Sequence, residues 1–207
     1  MPGILIMTFS LHGIQIEITF LFFAFISFVI SLKAPSNVLI TIASSLLHEM
    51  GHLTAMLILN NKPDKVRFEL IGINIVRKQG VSISIRNEIW ISLGGPLTNF
   101  IVVIFCCILL CIYNNDFLLT VACVNFLLMV FNILPINKLD GGTVLYYLFT
   151  QKYDLQFCSK ILKITSITFI SIIFVWGLYV FVVSRYNISL IIIAIFLIIS
   201  LFSDNEY

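Results

Sequence analysis

The sequence predicts an all-α polytopic membrane protein of six transmembrane helices, with a small β-hairpin at its cytoplasmic face. The composition, the spacing of the apolar runs and the placement of positive charge carry this prediction. Of 207 residues, 60% are hydrophobic and 11% are charged, whereas a soluble domain has about 25% charged residues. A soluble protein of this size could not bury so much apolar surface. The composition therefore excludes a water-soluble enzyme, a nucleic-acid binder and a disordered tail.

Six apolar stretches are separated by polar breaks, and only helices satisfy their own backbone hydrogen bonds in lipid. A helix rises about 1.5 Å per residue and needs about 20 residues to cross the hydrocarbon. Five stretches suffice for a crossing, and the last is short. The predicted spans are 17–32, 38–59, 89–113, 117–134, 161–184 and 188–202.

Six crossings would place both termini on the same side of the membrane. The loops 60–88 and 135–160, with the adjacent Lys163, would share that side and carry all of the 12 Lys and Arg residues except Lys33 and Arg185. Positive charge collects on the cytoplasmic side of membrane proteins. We therefore expect a multi-pass protein of a bacterial-type cell membrane with both termini in the cytoplasm.

The loop after the second predicted span contains apolar residues that alternate with polar neighbours. This period-two pattern, with Gly72 and Gly80 as breaks, indicates a small β-hairpin or sheet. It is either a passive surface feature or an edge strand that accepts an extended peptide. The apolar residues of the pattern are Val66, Phe68, Leu70, Ile71, Ile73, Ile75, Val81, Ile83 and Ile85.

Two of the three histidines lie in the segment His48-Glu49-Met50-Gly51-His52, an H-E-x-x-H motif. Positions i and i+4 share one helical face, so both imidazoles can reach one metal ion while Glu49 projects nearby. The alternative is an ordinary helix with two interior histidines. It leaves unexplained a cost of about 2.5–3.5 kcal/mol for each acidic or basic residue at mid-membrane. A bound cation offsets that cost.

A catalytic zinc site uses three protein ligands and a water. The remaining histidine, His12, precedes the first span and suits the membrane interface better than a metal site. Asp140 is the better candidate for a third ligand. With neutral imidazoles, the charges of Zn²⁺, Asp140 and Glu49 sum to zero, which a low-dielectric site tolerates.

The segment that precedes Asp140 is expected to leave the helical conformation. Pro135 disfavours helix at Leu134 and lacks a backbone donor, so the fourth span should unwind there. Gly141 and Gly142 permit a turn that aims the carboxylate back into the bundle. The alternative is an ordinary capping aspartate in a loop.

A third polar segment, Gly94-Gly95-Pro96-Leu97-Thr98-Asn99, lies inside the third apolar run. Pro96 should interrupt the helix or mark its true first turn, and the glycines allow close backbone approach. Tight packing explains this segment well. Asn99, a lone amide in an apolar run, could instead donate a hydrogen bond to a substrate.

Together these segments resemble the site-2 protease family of intramembrane zinc metalloproteases, and most closely its stage IV sporulation protein FB branch. The matching blocks are HEMGH at 48–52, GGPLTN at 94–99 and NILPINKLDGG at 132–142. The first and third are highly specific as a pair, whereas the second alone is weak. The resemblance extends from about residue 12 to residue 202. We expect one membrane-embedded domain over 1–207, without the CBS or PDZ domains found in branches of the family.

The resemblance implies a role for each of five residues. His48, His52 and Asp140 would hold one Zn²⁺ per chain, and Glu49 would be the catalytic base. Asn132 would help to orient the substrate. The family's hairpin after the second span is thought to receive the substrate as an added strand.

The sporulation branch often has a second proline two residues before the aspartate, and Lys138 stands there in this sequence. This difference leaves the shape of the unwound segment open, although not the ligand. The branch also implies a substrate, a sigma-factor precursor with a membrane-associated pro-segment that is processed during sporulation. Inhibitory membrane proteins are possible partners in this branch, the lipid bilayer is the surroundings, and no nucleic acid is expected.

The expected activity is zinc-dependent hydrolysis of a peptide bond in a membrane-associated protein near the cytoplasmic face. One rival class is an ion or proton transporter that uses His48, Glu49 and His52 as a relay. Such a transporter should carry polar residues in several helices, and the first, fifth and sixth spans carry almost none in their interiors. The other rival is a catalytically silent relative that binds membrane partners.

Overall fold

The computed structural model of the chain describes residues 6–11, 13–31, 35–69, 72–76 and 83–203. Within these ranges the chain is mostly helical and also contains one four-stranded sheet. It divides into two compact units, Met1–Val130 and Phe131–Tyr207. The predicted interfacial His12 lies outside the described residues.

The sheet belongs to the first unit and joins two hairpins that are far apart in sequence. Its order is β1-β2-β3-β4, in which the outer pairs are antiparallel and the central β2–β3 pair is parallel. The strands are Ile6–Leu11 (β1), Ile14–Thr19 (β2), Lys65–Glu69 (β3) and Gly72–Val76 (β4). Parallel pairing of β2 with β3 places the N-terminal hairpin beside the hairpin that follows the second helix.

The β3–β4 pair confirms the predicted hairpin or sheet, and the sheet is larger than the alternating pattern after the second span predicted. The N-terminal pair adds two strands, and β2 carries the same kind of signal, because three isoleucines alternate with Gln15, Glu17 and Thr19. In the third alternating run, Ile83 lies outside any strand and Ile85 begins a helix. Leu70, Ile71, Gly80 and Val81 lie outside the described residues.

The first predicted span, 17–32, is wrong at its start. Residues 17–19 end β2, and the helix that follows, α1 (Phe20–Ser31), has 12 residues. Such a helix is about 18 Å long, whereas the hydrocarbon core is about 30 Å thick. The apolar run hid this boundary because β2 and α1 are both rich in large apolar residues.

The remaining helices of the first unit follow the predicted spans to within a few residues. They are α2 (Ser36–Ile58), α3 (Ile85–Leu110) and α4 (Asp116–Ile133), the last of which runs a few residues into the second unit. Pro96 lies inside α3, so the predicted interruption at this residue is wrong. Proline removes one helical hydrogen bond, and the long apolar helix continues on both sides of it.

Glycines let α2 and α3 approach closely. A Cβ atom added to Gly94 would lie 2.6 Å from the carbonyl oxygen of Gly51 and 2.9 Å from the Cβ of Ala55. A Cβ atom on Gly51 would meet the carbonyl oxygen of Gly94. Small residues permit such contact between apolar helices, and it brings the H-E-x-x-H turn directly against the G-G-P segment.

The second unit contains three helices, of which α5 was not predicted. They are α5 (Asp140–Thr150), α6 (Leu155–Ser184) and α7 (Ser189–Ser203). The segment 135–160 was expected to be a loop, yet 11 of its residues form α5. The buried core of this unit consists of Ile136, Ile170, Ala194, Leu197 and Leu201.

Three of the described helices, α3, α4 and α6, are long and apolar enough to cross a membrane, and α7 is a shorter apolar helix. Large apolar side chains are exposed along them, including Phe105, Leu127 and Val182 at 61%, 65% and 71%. Soluble proteins rarely expose so much apolar surface to water, so these features indicate a membrane protein. The six crossings and the cytoplasmic termini stay predictions.

Candidate metal centre

The helix α2 places His48 and His52 one turn apart on the same face. Their Nε2 atoms are 3.3 Å apart and their ring planes are nearly perpendicular, at 84°. His48 is buried and His52 is half-buried. The structure thus brings two imidazole nitrogens close together, where α2 packs against α3.

The separation of the two Nε2 atoms suits a shared zinc ion. With Zn–N distances of about 2.0–2.1 Å and tetrahedral angles, two nitrogen ligands of one ion lie about 3.3–3.4 Å apart. The observed 3.3 Å matches this value. Two unprotonated nitrogens at this distance repel one another, and a cation between them removes that repulsion.

The Nδ1 atoms of both histidines face groups of α3. The Nδ1 of His52 lies 2.8 Å from the carbonyl oxygen of Ile91 and 3.3 Å from the amide nitrogen of Gly95. The shorter contact indicates that Nδ1–H donates to the Ile91 oxygen. A backbone carbonyl that accepts from Nδ1–H leaves Nε2 unprotonated and able to bind metal.

Gly95 packs directly against both imidazole rings. A Cβ atom at this position would lie 2.5 Å from Nε2 of His52 and 2.6 Å from Nε2 of His48. Any larger residue would displace the rings from this arrangement. The donor set and its spacing together fit a zinc ion.

The other predicted residues of the first unit lie around this pair. Glu49 is half-buried on α2, next to His48 in sequence. Asn99 is completely buried on α3, and its Nδ2 lies 3.2 Å from the Nδ1 of His48. The first unit therefore assembles His48, His52 and Asn99, with Glu49 in the same helical turn as the histidines.

Asp140 and Asn132 belong to the second unit. The helix α4 ends at Ile133, as Pro135 predicts, and α5 begins at Asp140 after an irregular segment. Asn132 and Asp140 are both half-buried. Asp140 is the first residue of α5, where the positive end of the helix dipole favours a carboxylate.

The turn predicted at Gly141 and Gly142 is wrong, because both glycines lie in the first turn of α5. The chain reverses at Lys138 instead, which has a left-handed φ of 75°. Asn137 holds this turn, since its Oδ1 accepts from the amide of Lys138 at 3.1 Å. Proline could not adopt this φ, so the turn differs from one that a proline at this position would impose.

The predicted substrate-receiving hairpin, β3–β4, is anchored to β2 by an ion-pair cluster. Glu17 is 6% exposed, and its carboxylate accepts from Lys65 Nζ at 3.0 Å and from Arg67 Nε at 2.7 Å. These two hydrogen bonds hold the pKa of the Glu17 carboxyl below its ordinary value. Among the described strands, β4 is at one end of the sheet order.

Sequence reasoning missed two groups at the metal centre. The Ile91 carbonyl carries no sequence signal, because any residue has one. Gly95 stood in a recognised segment but was assigned to helix packing. One sequence signal was available: Gly95 lies one helical turn before Asn99, a polar residue in an apolar run. A glycine in such a place can leave room for the side chains of a neighbouring helix.

The fold of the chain is also found in a protein of known structure. No protein-family model matches the chain. A site-2 protease from Methanocaldococcus jannaschii shares the fold, with a TM-score of 0.65 and 24% identity, and the match covers 98% of this chain and 96% of that one.

In sequence, the chain is 27% identical over 204 residues to the zinc metalloprotease MJ0392 of Methanocaldococcus jannaschii. This match covers 91% of the chain but only 57% of the relative, so the chain spans little more than half of the relative's length. Neither match is a sporulation protein, and the likeness to the sporulation branch stays a prediction.

Proposed function

We propose that this protein is an intramembrane zinc metalloprotease that hydrolyses a peptide bond of a membrane-associated protein. One observation carries the proposal: the Nε2 atoms of His48 and His52 lie 3.3 Å apart, the spacing of two nitrogen ligands of one zinc ion. The similarity to a zinc metalloprotease and the fold of a site-2 protease support it.

The proposed zinc ligands are His48, His52 and Asp140, with one ion per chain. Asp140 is favoured because it supplies the hard anionic oxygen that zinc accepts beside two imidazoles. It also follows the end of α4 and begins α5, so the start of a helix fixes the position of its backbone. Its negative charge and that of Glu49 would balance the dication.

Glu49 is the proposed general base. Bound zinc would polarise the scissile carbonyl and lower the pKa of a coordinated water toward about 7. Glu49 would take a proton from the attacking water and later deliver it to the leaving amine. Its half-buried position beside His48 suits both steps, because the carboxylate is shielded from bulk water but is not sealed off.

The substrate must be extended at the scissile bond, since a helix shields its own backbone. The outer side of β4, the last strand in the order of the described sheet, would offer a row of backbone groups that can pair with such a segment. Asn132 is the proposed side chain that orients the substrate, and Asn99 was the other candidate. We expect cleavage near the cytoplasmic face. A sigma-factor precursor is the narrower hypothesis for the substrate, and it rests on the resemblance to the sporulation branch.

The decisive experiment compares metal content and cleavage in one set of purified proteins. Glu49→Gln should keep about one zinc per chain and lose about 10²–10⁴-fold in the cleavage rate of a membrane-tethered sigma-factor precursor in liposomes. Glu88→Gln is the matched control, because it makes the same change at a buried glutamate that lies outside the H-E-x-x-H motif, in the first turn of α3. It should cleave at the wild-type rate.

Asp140→Asn tests the third ligand. We expect its zinc content to fall well below that of the wild type, with Asp154→Asn, at the start of α6, as the control. Wild-type zinc content in Asp140→Asn would remove Asp140 from the ligand set. Undiminished cleavage by Glu49→Gln would exclude Glu49 as the base, whereas zinc without cleavage of any membrane-tethered substrate would favour the catalytically silent alternative.

A further inference from the structure

Two asparagines of the first unit are completely buried within apolar helices, Asn99 on α3 and Asn125 on α4. In both, Oδ1 has no hydrogen-bond partner among the described residues. The Nδ2 of Asn125 donates to the Oγ of Ser44 and to the carbonyl oxygen of Val121. The carbonyl can only accept, so the orientation of the Asn125 amide is fixed.

The orientation of Asn99 is not fixed in this way, because its neighbour is an imidazole nitrogen. The Nδ1 of His48, 3.2 Å away, donates or accepts according to the tautomer of the ring. The two amide orientations exchange oxygen for nitrogen at nearly the same place. The chemistry of the site must therefore decide between them.

With Nδ2 toward the ring, Asn99 requires an unprotonated Nδ1. A neutral His48 would then carry its proton on Nε2, the atom that lies 3.3 Å from Nε2 of His52 and would bind the metal. The buried Oδ1 would also remain unsatisfied, at a cost of about 1–3 kcal/mol. The reversed amide removes both problems, since Oδ1 accepts from Nδ1–H and Nε2 keeps its lone pair.

We infer that Asn99 is a positioning residue whose Oδ1 accepts a hydrogen bond from Nδ1–H of His48 and so directs the Nε2 lone pair of His48 toward the metal. The inference rests on the proposed zinc function and deepens it. It gives the two histidines equivalent support from α3, the Ile91 carbonyl for His52 and the Asn99 amide for His48. Asn99 would then act behind the imidazole and not upon the substrate.

The test is the zinc affinity of full-length variants in detergent, measured by competition with a chromophoric chelator. Asn99→Leu keeps the side-chain size but removes the acceptor, and we expect it to bind zinc about 10–100-fold more weakly than the wild type. Asn99→Asp retains an acceptor oxygen and should bind within a few-fold of the wild type. Asn125→Leu is the matched control, because it removes an equally buried amide, and it should leave zinc affinity unchanged.

The inference is overturned if folded Asn99→Leu binds zinc as tightly as the wild type. It is also overturned if Asn99→Asp is as weak as Asn99→Leu, or if Asn125→Leu loses as much affinity. If the wild type itself binds no zinc, the proposed function fails instead. The ¹⁵N shifts of the His48 ring in the metal-free wild type give a second readout that needs no variant. They should report the Nδ1–H tautomer, and an Nε2–H tautomer would contradict the inference.

Discussion

Gly95 and Gly141 both stand in a Gly-Gly pair, but the space that each leaves open is used differently. At Gly95 a Cβ atom would meet the Nε2 atoms of two histidines. At Gly141 it would meet the carbonyl oxygen of Ile133, so the chain itself occupies the space. The comparison distinguishes a glycine that leaves room for metal-binding side chains from a glycine that leaves room for the main chain.

This difference explains why the two glycines should respond differently to the same substitution. A methyl group at Gly95 would push on imidazole rings, which can rotate away but would then no longer converge. A methyl group at Gly141 would push on the main chain at Ile133 and Leu134, which cannot rotate away as a side chain can. The first change should affect metal binding most, and the second should affect the local fold.

The largest expected effect is that of Gly95→Ala on zinc binding. The added Cβ would lie within 2.6 Å of the Nε2 atoms of both His48 and His52 and would displace the rings, so we expect zinc affinity to fall at least about 100-fold, or about 2.7 kcal/mol. Alanine is the better helix former by about 1 kcal/mol, so α3 itself should not be weakened. Chelator competition measures the affinity, and circular dichroism reports the helix content.

Gly177→Ala in α6 is the matched control for that variant. Its Cβ would lie 3.1 Å from its nearest neighbours, a tight contact without histidines. It should leave zinc binding unchanged. If Gly95→Ala binds zinc as tightly as the wild type, the close contact of Gly95 with the two rings does not matter for metal binding. Gly95 and Gly141 would then not differ in the way proposed.

The second prediction concerns Gly141→Ala. Because the added Cβ would overlap the carbonyl group of Ile133, the start of α5 must shift, at a cost of about 1–3 kcal/mol. Hydrogen exchange of α5 amides should accelerate accordingly, while exchange in the β-sheet stays the same. Unchanged exchange in α5 would show that this contact is easily relaxed and that the two glycines differ less than proposed.

The helices were largely predictable from the sequence, because apolar runs bounded by polar residues mark them directly. The end of α4 near Pro135 also followed from local chemistry. The strand β2 was missed because its apolar residues continue into α1, and α5 because a short amphipathic helix resembles a loop when only membrane-length runs are sought. Both errors arise when apolar runs are assigned by their length before the periodicity of their apolar residues is considered.

For the candidate site, the spacing of His48 and His52 predicted that the rings would meet, because i and i+4 share a face of any helix. The partners of their Nδ1 atoms could not be predicted. They depend on how closely α3 packs against α2, which is set by Gly51 and Gly94 acting together. A sequence pattern identifies ligands, whereas the groups that orient the ligands come from tertiary packing.

The third prediction tests the turn at Lys138, which adjoins the Gly141 contact. A left-handed φ costs a residue with a Cβ about 1–2 kcal/mol, and glycine loses about 0.5–1 kcal/mol more conformational freedom on folding. Lys138→Gly should therefore stabilise the segment by at most about 1 kcal/mol. Lys138→Pro should destabilise it, since proline cannot adopt φ 75°. Protease resistance of the segment 134–142 measures both. A stabilising proline would mean that this turn resembles the one in the sporulation branch.

The last prediction lies outside both glycine contacts, at Glu17 in the sheet. The hydrogen bonds from Lys65 and Arg67 lower the pKa of Glu17 in the folded state, so between that pKa and the ordinary value of 4.5 only the unfolded state binds the proton. The stabilisation is complete above about pH 4.5 and is lost as the pH falls through the lowered pKa.

Lys65 and Arg67 are each about a third exposed, at 34% and 35%, so solvent screening should limit the contribution of Glu17 to about 1 kcal/mol. Hydrogen exchange of β2 and β3 amides should accelerate as the pH falls below 4.5, after correction for the intrinsic rate, and Glu17→Gln should abolish this acceleration. Glu69→Gln is the control, because Glu69 is more exposed and lies 3.6 Å from Arg67.

If the sheet of Glu17→Gln opens with the same pH dependence as the wild type, charge pairing does not hold β2 to β3. Apolar contacts such as the 5.6 Å ring pair of Phe22 and Phe68 would then have to hold the sheet together.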